Sequence, residues 1–405
     1  MNRTQAYVMT AALTVQCALG MGCLWSQERN GTQPHPPEPT ATWTLSAETE
    51  VDDIIRDRME QFQFPGLAVA VVAGGNIVWA RGYGDAHLNP QRSVTPDTPF
   101  LTASVSKTIV AVAVMQQVEA GRIDLDADIN GALPFAVRHP RSPQTPITPR
   151  MLMTHTSAIE DNWDIMEQVY VRGDSPQTLR SFLEAYLTPT GRYYHANNFG
   201  PHRPGTHHSY TNIGSALLGL LVETVTQTSF DRYCHDAIFA PLGMKHTAWM
   251  LRDLERDTIA TPYTWTGVRY RSHDHYGVPD YPSGQLRSSV NDMGLFLSMI
   301  IREGRGPSVQ ILEPSSIKAM LTAQIPHIEA SQALIWGIEQ EDGLTLLGHE
   351  GAERGATTQM FFRREDGLGY VLLANGSDES NEDALNLQAE TLTEIGTLLL
   401  EELQP

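Results

Sequence analysis

Two residues, Ser104 and Lys107, have the types and the spacing that acyl-transfer chemistry requires. Lys107 is one of only three lysines among 28 basic residues, the others being arginine. An arginine guanidinium stays charged at any biological pH, whereas a buried lysine amine can lose its proton, so only lysine can serve as a base. Residues three apart share a face of an α-helix, which allows the Ser104 hydroxyl to meet the Lys107 amine. A nucleophile beside a base is the minimum for nucleophilic catalysis.

The spacing of this pair is not sufficient by itself, because the sequence contains it twice. Ser315 and Lys318 have the same separation, but they follow a Glu-Pro pair that is typical of the start of a surface helix. Ser104 is instead followed by an apolar run at 108–115, which predicts a helix that is buried on all sides. On these local grounds Ser104 is either a nucleophile or the N-cap of a core helix.

The elements that must position this pair are predicted from hydrophobic periodicity. Residues from about 47 to 62 follow helical spacing, and apolar runs on either side of a Gly-Gly-Asn turn predict a β-hairpin over 67–80. Three further strands are predicted at 344–347, 357–362 and 370–373, followed by a long helix from about 384 to 403.

These elements predict an α+β or α/β fold in which an antiparallel sheet, built from both ends of the domain, is flanked by N- and C-terminal helices. A large, all-helical lobe would be inserted between the two parts of the sheet. The predicted globular domain covers 46–405, with an α/β lobe at 46–107 and 284–405 and the helical lobe at 108–283. Ser104 lies where the chain leaves one lobe for the other, at the kind of junction where pockets form.

The N-terminal segment resembles an export signal. Residues 1–23 have a short basic start and an apolar run that ends at Cys23 in an imperfect lipoprotein cleavage site, so a lipid anchor on Cys23 and an ordinary cleaved signal peptide both stay open. Residues 24–45 are rich in Pro and Thr and read as an extended linker. We therefore expect an exported protein, either a periplasmic or cell-envelope lipoprotein or a secreted enzyme.

Composition excludes several classes of function. The formal net charge of −19 argues against nucleic acid and anionic membranes as partners, since both require a basic face. A single cysteine, Cys234, falls in the predicted globular part, which leaves no internal disulfide. His202, His207 and His208 lack ligand spacing with a carboxylate, so we predict neither a metal site nor a cofactor. The expected partner is a small-molecule or peptide substrate.

Two further segments complete a pattern with Ser104 and Lys107. Tyr210 and Asn212 precede a predicted helix, and the run from His349 to Ala352 follows a predicted strand. In this order the three segments resemble the S-x-x-K, S-D-N and K-T-G motifs of the serine β-lactamase and penicillin-binding protein superfamily. The Tyr-x-Asn and His-x-Gly variants are similar to the branch that contains class C β-lactamases, D,D-peptidases and esterases. The resemblance runs from about residue 51 to residue 403.

The resemblance implies a role for each motif residue. Ser104 would attack a carbonyl and form an acyl-enzyme, while Lys107 and Tyr210 would share the proton transfers. Free tyrosine and lysine titrate near ~10 and ~10.4, so each is a base only where its neighbours favour the deprotonated form. The sequence leaves the choice between them open. Asn212 would hold Lys107 and the amide of the acyl side chain.

The third motif would supply the substrate-binding residues His349, Glu350, Gly351 and Ala352. The backbone N–H groups of Ser104 and Ala352 would form the oxyanion hole, and Gly351 suits a strand edge that a substrate approaches closely. Glu350 departs from the family pattern, which usually has a hydroxyl there to bind the substrate carboxylate. If its side chain faces the pocket, Glu350 would repel such substrates, unless Arg354 neutralises it.

The sequence therefore predicts an exported serine hydrolase that acts through an acyl-enzyme on an ester or amide, as an esterase or a D-amino-acid amidase or peptidase would. A D,D-carboxypeptidase or a β-lactamase proper is the first alternative. A binding or sensor protein that deacylates slowly on the same scaffold is the second.

Overall fold

The computed structural model describes residues 43–341, 343–378, 380–381 and 383–404. The predicted signal segment 1–23, with Cys23, and the linker up to residue 42 lie outside the described residues. Thr44 and Leu45, which the sequence placed in the linker, form a short strand that pairs with Leu403–Gln404, so ordered pairing begins slightly earlier than predicted.

A seven-stranded antiparallel sheet forms the centre of the α/β lobe. Val69 pairs with Leu372, which joins the N-terminal hairpin to the C-terminal strands as the sequence predicted. The strands lie in the order Gly337–Glu341, Leu344–Glu353, Ala356–Arg363, Gly369–Ala374, Gly66–Ala73, Asn76–Leu88 and Gln91–Ser93.

The central strand Gly66–Ala73 shows why the sheet has two covered faces. Every residue of this strand is buried, and successive side chains point to opposite faces. Val69 and Val71 join the apolar cluster under the N- and C-terminal helices, whereas Ala70 and Val72 join the larger core shared with the helical lobe. A strand buried on both faces reads as a continuous apolar run, which is how this one appears in the sequence.

Helices cover both faces of the sheet and make up most of the inserted lobe. The N-terminal helix and the C-terminal helix pack on one face, and the helix at 290–301 packs on the other. The α-helices are Glu48–Gln61, Lys107–Glu119, Pro149–Met153, Trp163–Met166, Leu179–Leu187, Asn212–Thr226, Phe230–Cys234, Ala240–Leu242, Val290–Ile301, Pro314–Met320 and Ala384–Glu402.

The inserted lobe is not entirely helical, which corrects one detail of the prediction. Some of its aromatic-rich segments pair as short strands, because tyrosine and tryptophan favour extended backbone and buried peptide groups need partners. Two small sheets result, which contain Val171–Arg172 with Tyr276–Gly277, and Tyr263–Trp265 with Tyr270–Ser272 and Gly376–Asp378. A further pair, Phe100–Leu101 with Arg287–Ser288, brackets the segment that carries Ser104.

The helix Lys107–Glu119 is buried around its whole circumference from Lys107 to Met115, as its sequence predicted. It packs against the helix Asn212–Thr226, so the second motif is brought beside the first. Fully burying each valine or isoleucine contributes about 1.5–3 kcal/mol, which fixes this helix firmly in the core. Among the described residues, no helix is both long enough and apolar enough to cross a membrane.

Candidate active site

Ser104 lies in a single turn of 3₁₀ helix, Ala103–Ser106, directly before the buried helix Lys107–Glu119. The preceding residue, Ala103, has a φ of 46°, a left-handed conformation that costs a non-glycine residue about 1–2 kcal/mol. Hydrogen bonds hold this turn in place: Thr102 N–H donates to Leu286 O at 2.9 Å, and Ser106 Oγ accepts from Leu286 N–H at 3.2 Å. The nucleophile is therefore set on a strained but well-supported turn.

Lys107 is fully buried, and its amine bonds to three neighbours. Nζ lies 2.9 Å from Ser104 Oγ, 2.7 Å from Asn212 Oδ1 and 2.5 Å from Ser283 O. Burial lowers the pKa of Lys107 to about 7, although nearby carboxylates, Asp161 foremost, act to raise it. The neutral amine, which can accept a proton from Ser104, is thus well populated near neutral pH.

Tyr210 lies close to the amine, with Lys107 Nζ 5.0 Å from the centre of its ring. Its hydroxyl is buried and makes no hydrogen bond of good geometry within the described part of the chain. Burial raises the pKa of Tyr210 above its ordinary value, and the nearby Ser104 hydroxyl only partly opposes the rise. The phenol therefore stays protonated at neutral pH, which leaves the Lys107 amine as the one of the two groups that is available in its deprotonated form.

The ring of His155 packs against the ring of Tyr210. The two rings are 4.5 Å apart and tilted by 33°, and His155 Nδ1 accepts from Thr211 N–H at 3.3 Å. Because burial holds the pKa of His155 well below its usual range, the ring stays neutral against the phenol. No local pattern in the sequence signals this contact between the two rings.

Asp161 is a functional residue that the sequence reasoning missed. Its carboxylate accepts from the backbone N–H groups of Asn212 and Ile213, from the Thr211 hydroxyl and from Asn212 Nδ2, each at 2.9–3.0 Å. It thereby satisfies the first N–H groups of the helix Asn212–Thr226, where a negative charge is favourable. No local pattern signals this role, because Asp161 lies about fifty positions away from its partners.

The third motif places Gly351 against the nucleophile. A Cβ atom on Gly351 would stand 2.9 Å from Ser104 N and 2.8 Å from Thr102 O, so only glycine allows this approach. In the described residues, pairing with the neighbouring strand Gly337–Glu341 stops at Gly348, which leaves the edge from His349 onwards open to a substrate backbone. Ala352 is exposed on this edge, and its role in the oxyanion hole stays a prediction.

His349 faces the site, with its ring 6.2 Å from that of Tyr210. Its Nδ1 donates to Glu350 O at 2.5 Å, because a carbonyl oxygen can only accept. Burial lowers the pKa of His349 to about 4, with the Lys107 charge acting in the same direction. The third motif therefore contributes a neutral imidazole rather than a cation.

Glu350 does not face the pocket, which corrects the expectation drawn from the sequence. It is paired across the sheet with Gln359, whose amide lies 3.3 Å from Glu350 Oε1 and also donates to Ala389 O on the C-terminal helix. Side chains alternate along a strand, so Glu350 points away from the face that carries His349 and Gly351. It cannot repel a substrate carboxylate directly.

The second serine–lysine pair behaves as its sequence context suggested. Ser315 and Lys318 are both exposed on the surface helix Pro314–Met320. Within the described residues, no group of three or more His, Cys, Asp or Glu side chains is placed to hold a metal ion. The first pair alone has a buried amine, a neighbouring phenol and a glycine-lined strand, which together suit attack on a carbonyl and stabilisation of the resulting oxyanion.

Comparison with known proteins agrees with this arrangement. The family model described as beta-lactamase matches residues 51–393, which is most of the chain. Among curated relatives, protein flp from Staphylococcus aureus strain MRSA252 is 22% identical over 83% of this chain. This chain spans only 64% of the length of that relative. Penicillin-binding protein 4 from Amycolatopsis lactamdurans is 27% identical, over 77% of this chain and 81% of its own length.

The fold also has close counterparts among solved structures. The D-amino acid amidase from Ochrobactrum anthropi SV3, solved in complex with L-phenylalanine amide, superposes with a TM-score of 0.71. The match covers 88% of this chain and 97% of that one, at 20% sequence identity. At this level of identity the superposition establishes a shared fold.

Proposed function

The chain belongs to the beta-lactamase family of serine hydrolases, and from this premise we propose that it hydrolyses an ester or amide through an acyl-enzyme on Ser104. One observation carries the proposal. A buried lysine with a pKa of about 7 lies 2.9 Å from the hydroxyl of a serine, which is the arrangement of an activated nucleophile.

In the proposed reaction, Ser104 Oγ attacks the substrate carbonyl carbon while Lys107 Nζ takes the hydroxyl proton. The N–H groups of Ser104 and Ala352 bind the oxyanion of the tetrahedral intermediate. Collapse of this intermediate breaks the bond to the leaving alcohol or amine, which receives a proton from the Tyr210 hydroxyl. Lys107 then donates its proton to Tyr210. A water molecule then attacks the acyl carbon while Lys107 Nζ takes its proton. Collapse of this second intermediate breaks the bond to Ser104 Oγ, which receives the proton from Lys107 as the acid is released.

We infer that the favoured substrates are esters or amides without a carboxylate beside the scissile bond, rather than penicillins or D-Ala-D-Ala termini. The support is the neutral state of His349, because the third motif offers no cation to bind such a carboxylate. The likeness in fold to a D-amino acid amidase is consistent with an amide substrate. The similarity to a penicillin-binding protein keeps a D,D-carboxypeptidase as the second candidate.

The first experiment is labelling with a fluorophosphonate probe. We expect the wild type and Ser315→Ala, the matched control in the exposed pair, to be labelled equally, and Ser104→Ala to lose the label. A label that persists in Ser104→Ala would refute the assignment of the nucleophile. The second experiment compares a short-chain aryl ester with a chromogenic cephalosporin, and faster hydrolysis of the cephalosporin would refute the inferred substrate class.

Export and lipidation of Cys23 remain proposals that rest on the N-terminal sequence. Expression of the full chain with a radiolabelled fatty acid tests them. We expect label on the wild type and none on Cys23→Ser. Fractionation of the cells then distinguishes a membrane-anchored lipoprotein from a protein released after ordinary signal cleavage.

A further inference from the structure

Glu353 lies on the face of the strand Leu344–Glu353 that meets the nucleophile. It is two residues beyond Gly351 and four beyond His349, and alternation along the strand places all three on one face. Because the missing Cβ of Gly351 points at Ser104 N, the Glu353 side chain borders the approach to Ser104. Glu353 is half-buried, so a bound substrate can reach it.

The contacts of Glu353 leave it able to accept further hydrogen bonds. Oε2 accepts from the Tyr170 hydroxyl at 2.9 Å, and Oε1 accepts from Arg354 N–H at 2.8 Å. A carboxylate has about four acceptor positions, so about two remain. The Arg354 guanidinium forms an ion pair with Glu167 and lies 4.2 Å from the centre of the Tyr170 ring, and its charge also lowers the pKa of Glu353.

A second carboxylate strengthens the negative character of this region. Asp280 is only 2% exposed, and its Oδ2 accepts from the Ser283 hydroxyl at 2.9 Å. Its Oδ1 is buried and receives no hydrogen bond from any described residue. Asp280 and Glu353 each act on the charge of Lys107 and on each other, so both lie beside the reacting centre. A buried acceptor without a donor is costly unless a ligand or water supplies one.

The charges around the site therefore sum to a negative field. Glu167, Glu353 and Asp280 contribute three carboxyl groups, and two guanidinium groups oppose them, that of Arg354 and that of the buried Arg287. Burial raises the pKa of Asp280 to about 6 and also raises the pKa of Glu353. The positive charge of protonated Lys107 is offset by Asp161, and the form of Lys107 that accepts a proton is neutral. Such a field raises the local concentration of cations and repels anions.

We propose that Glu353, supported by Asp280, makes the site selective for esters or amides whose acyl part carries a positively charged nitrogen. The cation would lie beside the Glu353 carboxylate, where Coulomb attraction favours it. The inference rests on the proposed hydrolase function and adds to it the chemical class of the acyl group. An acyl group that ends in a carboxylate would be rejected by like charge.

Three p-nitrophenyl esters of similar shape test the proposal. They carry 4-(trimethylammonio)butyrate, its neutral isostere 5,5-dimethylhexanoate, and the anionic glutarate monoester. In the wild type at low ionic strength, we expect kcat/KM for the cationic ester to exceed that for the neutral isostere by about tenfold, with the anionic ester slowest. Glu353→Gln should reduce the cationic-to-neutral ratio by about tenfold.

Glu350→Gln is the matched control, because it removes the same charge from the same strand on the opposite face. It should keep the cationic-to-neutral ratio of the wild type. A wild-type ratio near one, or an unchanged ratio in Glu353→Gln, would overturn the inference. Fluorophosphonates that carry the same three arms give a second readout, since the rate of Ser104 labelling reports selectivity without turnover. Labelling without charge selectivity defeats only this inference, whereas no Ser104-dependent labelling defeats the hydrolase function itself.

Discussion

Asp161 holds the side chain of Asn212 in the single orientation that serves Lys107. Asp161 Oδ2 accepts from Asn212 Nδ2 at 2.9 Å, which turns Asn212 Oδ1 towards Lys107 Nζ at 2.7 Å. Because a side-chain amide has one oxygen and one nitrogen, fixing the nitrogen fixes the oxygen. The buried carboxylate of Asp161 thus acts on Lys107 in two ways, by orienting Asn212 and by its negative charge.

Asp161→Asn should therefore lower kcat/KM by at least about tenfold, since a charge-assisted hydrogen bond contributes about 1.5–3 kcal/mol. The negative charge of Asp161 raises the pKa of Lys107, so its removal should move the rising limb of the pH profile to lower pH. A purely structural role would not shift that limb. Glu160→Gln, one residue earlier, is the control and should leave the limb in place.

Lys107→Arg should abolish hydrolysis although it keeps a positive charge. A guanidinium does not lose its proton in this pH range, so it cannot accept one from Ser104. Steady-state assays on an aryl ester would measure the loss, and circular dichroism would show whether the variant is folded. Turnover above a few per cent of wild type in a folded variant would contradict the role of Lys107 as a base.

The pH dependence of kcat/KM should reveal which group is the base. Burial lowers the pKa of Lys107 to about 7, and the deprotonated amine is the reactive form, so the rate should rise with pH and level off above neutrality. His349, with a pKa of about 4, should not titrate in this range.

Tyr210→Phe should reduce the rate by about 10²-fold, as expected for loss of a proton-transfer group, while the rising limb stays near pH 7. The phenol remains protonated throughout, because burial raises its pKa. If the limb disappeared in Tyr210→Phe, the base would be Tyr210 rather than Lys107.

Gly351→Ala should impair the chemistry far more than the fold. The added Cβ would stand 2.4 Å from Thr358 Oγ1 and 2.9 Å from Ser104 N, and backbone cannot yield as a flexible side chain does. Displacing this strand from the nucleophile should cost about 10²-fold in kcat, the scale of a lost oxyanion donor. Gly337→Ala is the control in the same sheet, because its Cβ would meet an atom no nearer than 3.4 Å.

The fold was predictable where a single segment carries the whole signal. The apolar runs on either side of the Gly-Gly-Asn turn predicted the hairpin over 67–80, and the apolar run after Ser104 predicted a helix buried on all sides. The pairing of N-terminal with C-terminal strands in one sheet was also predicted, because strands were expected at both ends of the domain with helices between them. The fold class and the membership of the serine hydrolase family are confirmed.

What the sequence did not reveal depends on contacts between distant segments. Asp161 caps a helix that begins about fifty residues later. Several of its partners are backbone N–H groups, which every residue type except proline has, so no sequence pattern marks them. The direction of Glu350 depends on strand alternation, which is fixed only once Gly351 is known to meet Ser104. Glu353 was overlooked for the same reason, although it is the acid that shares the face of the reacting centre.

The order of the motifs along the chain has a consequence for when the protein becomes reactive. More than half of the sequence separates Ser104 from Gly351, so the ribosome completes the nucleophile, its base and the helical lobe long before the strand that must lie beside them. A domain generally folds as a unit, and long-range strand pairing is slow. A nascent or truncated chain that ends before Leu344 would therefore have a serine and a lysine but no open strand edge to bind a carbonyl, and hydrolysis is tied to completion of the polypeptide.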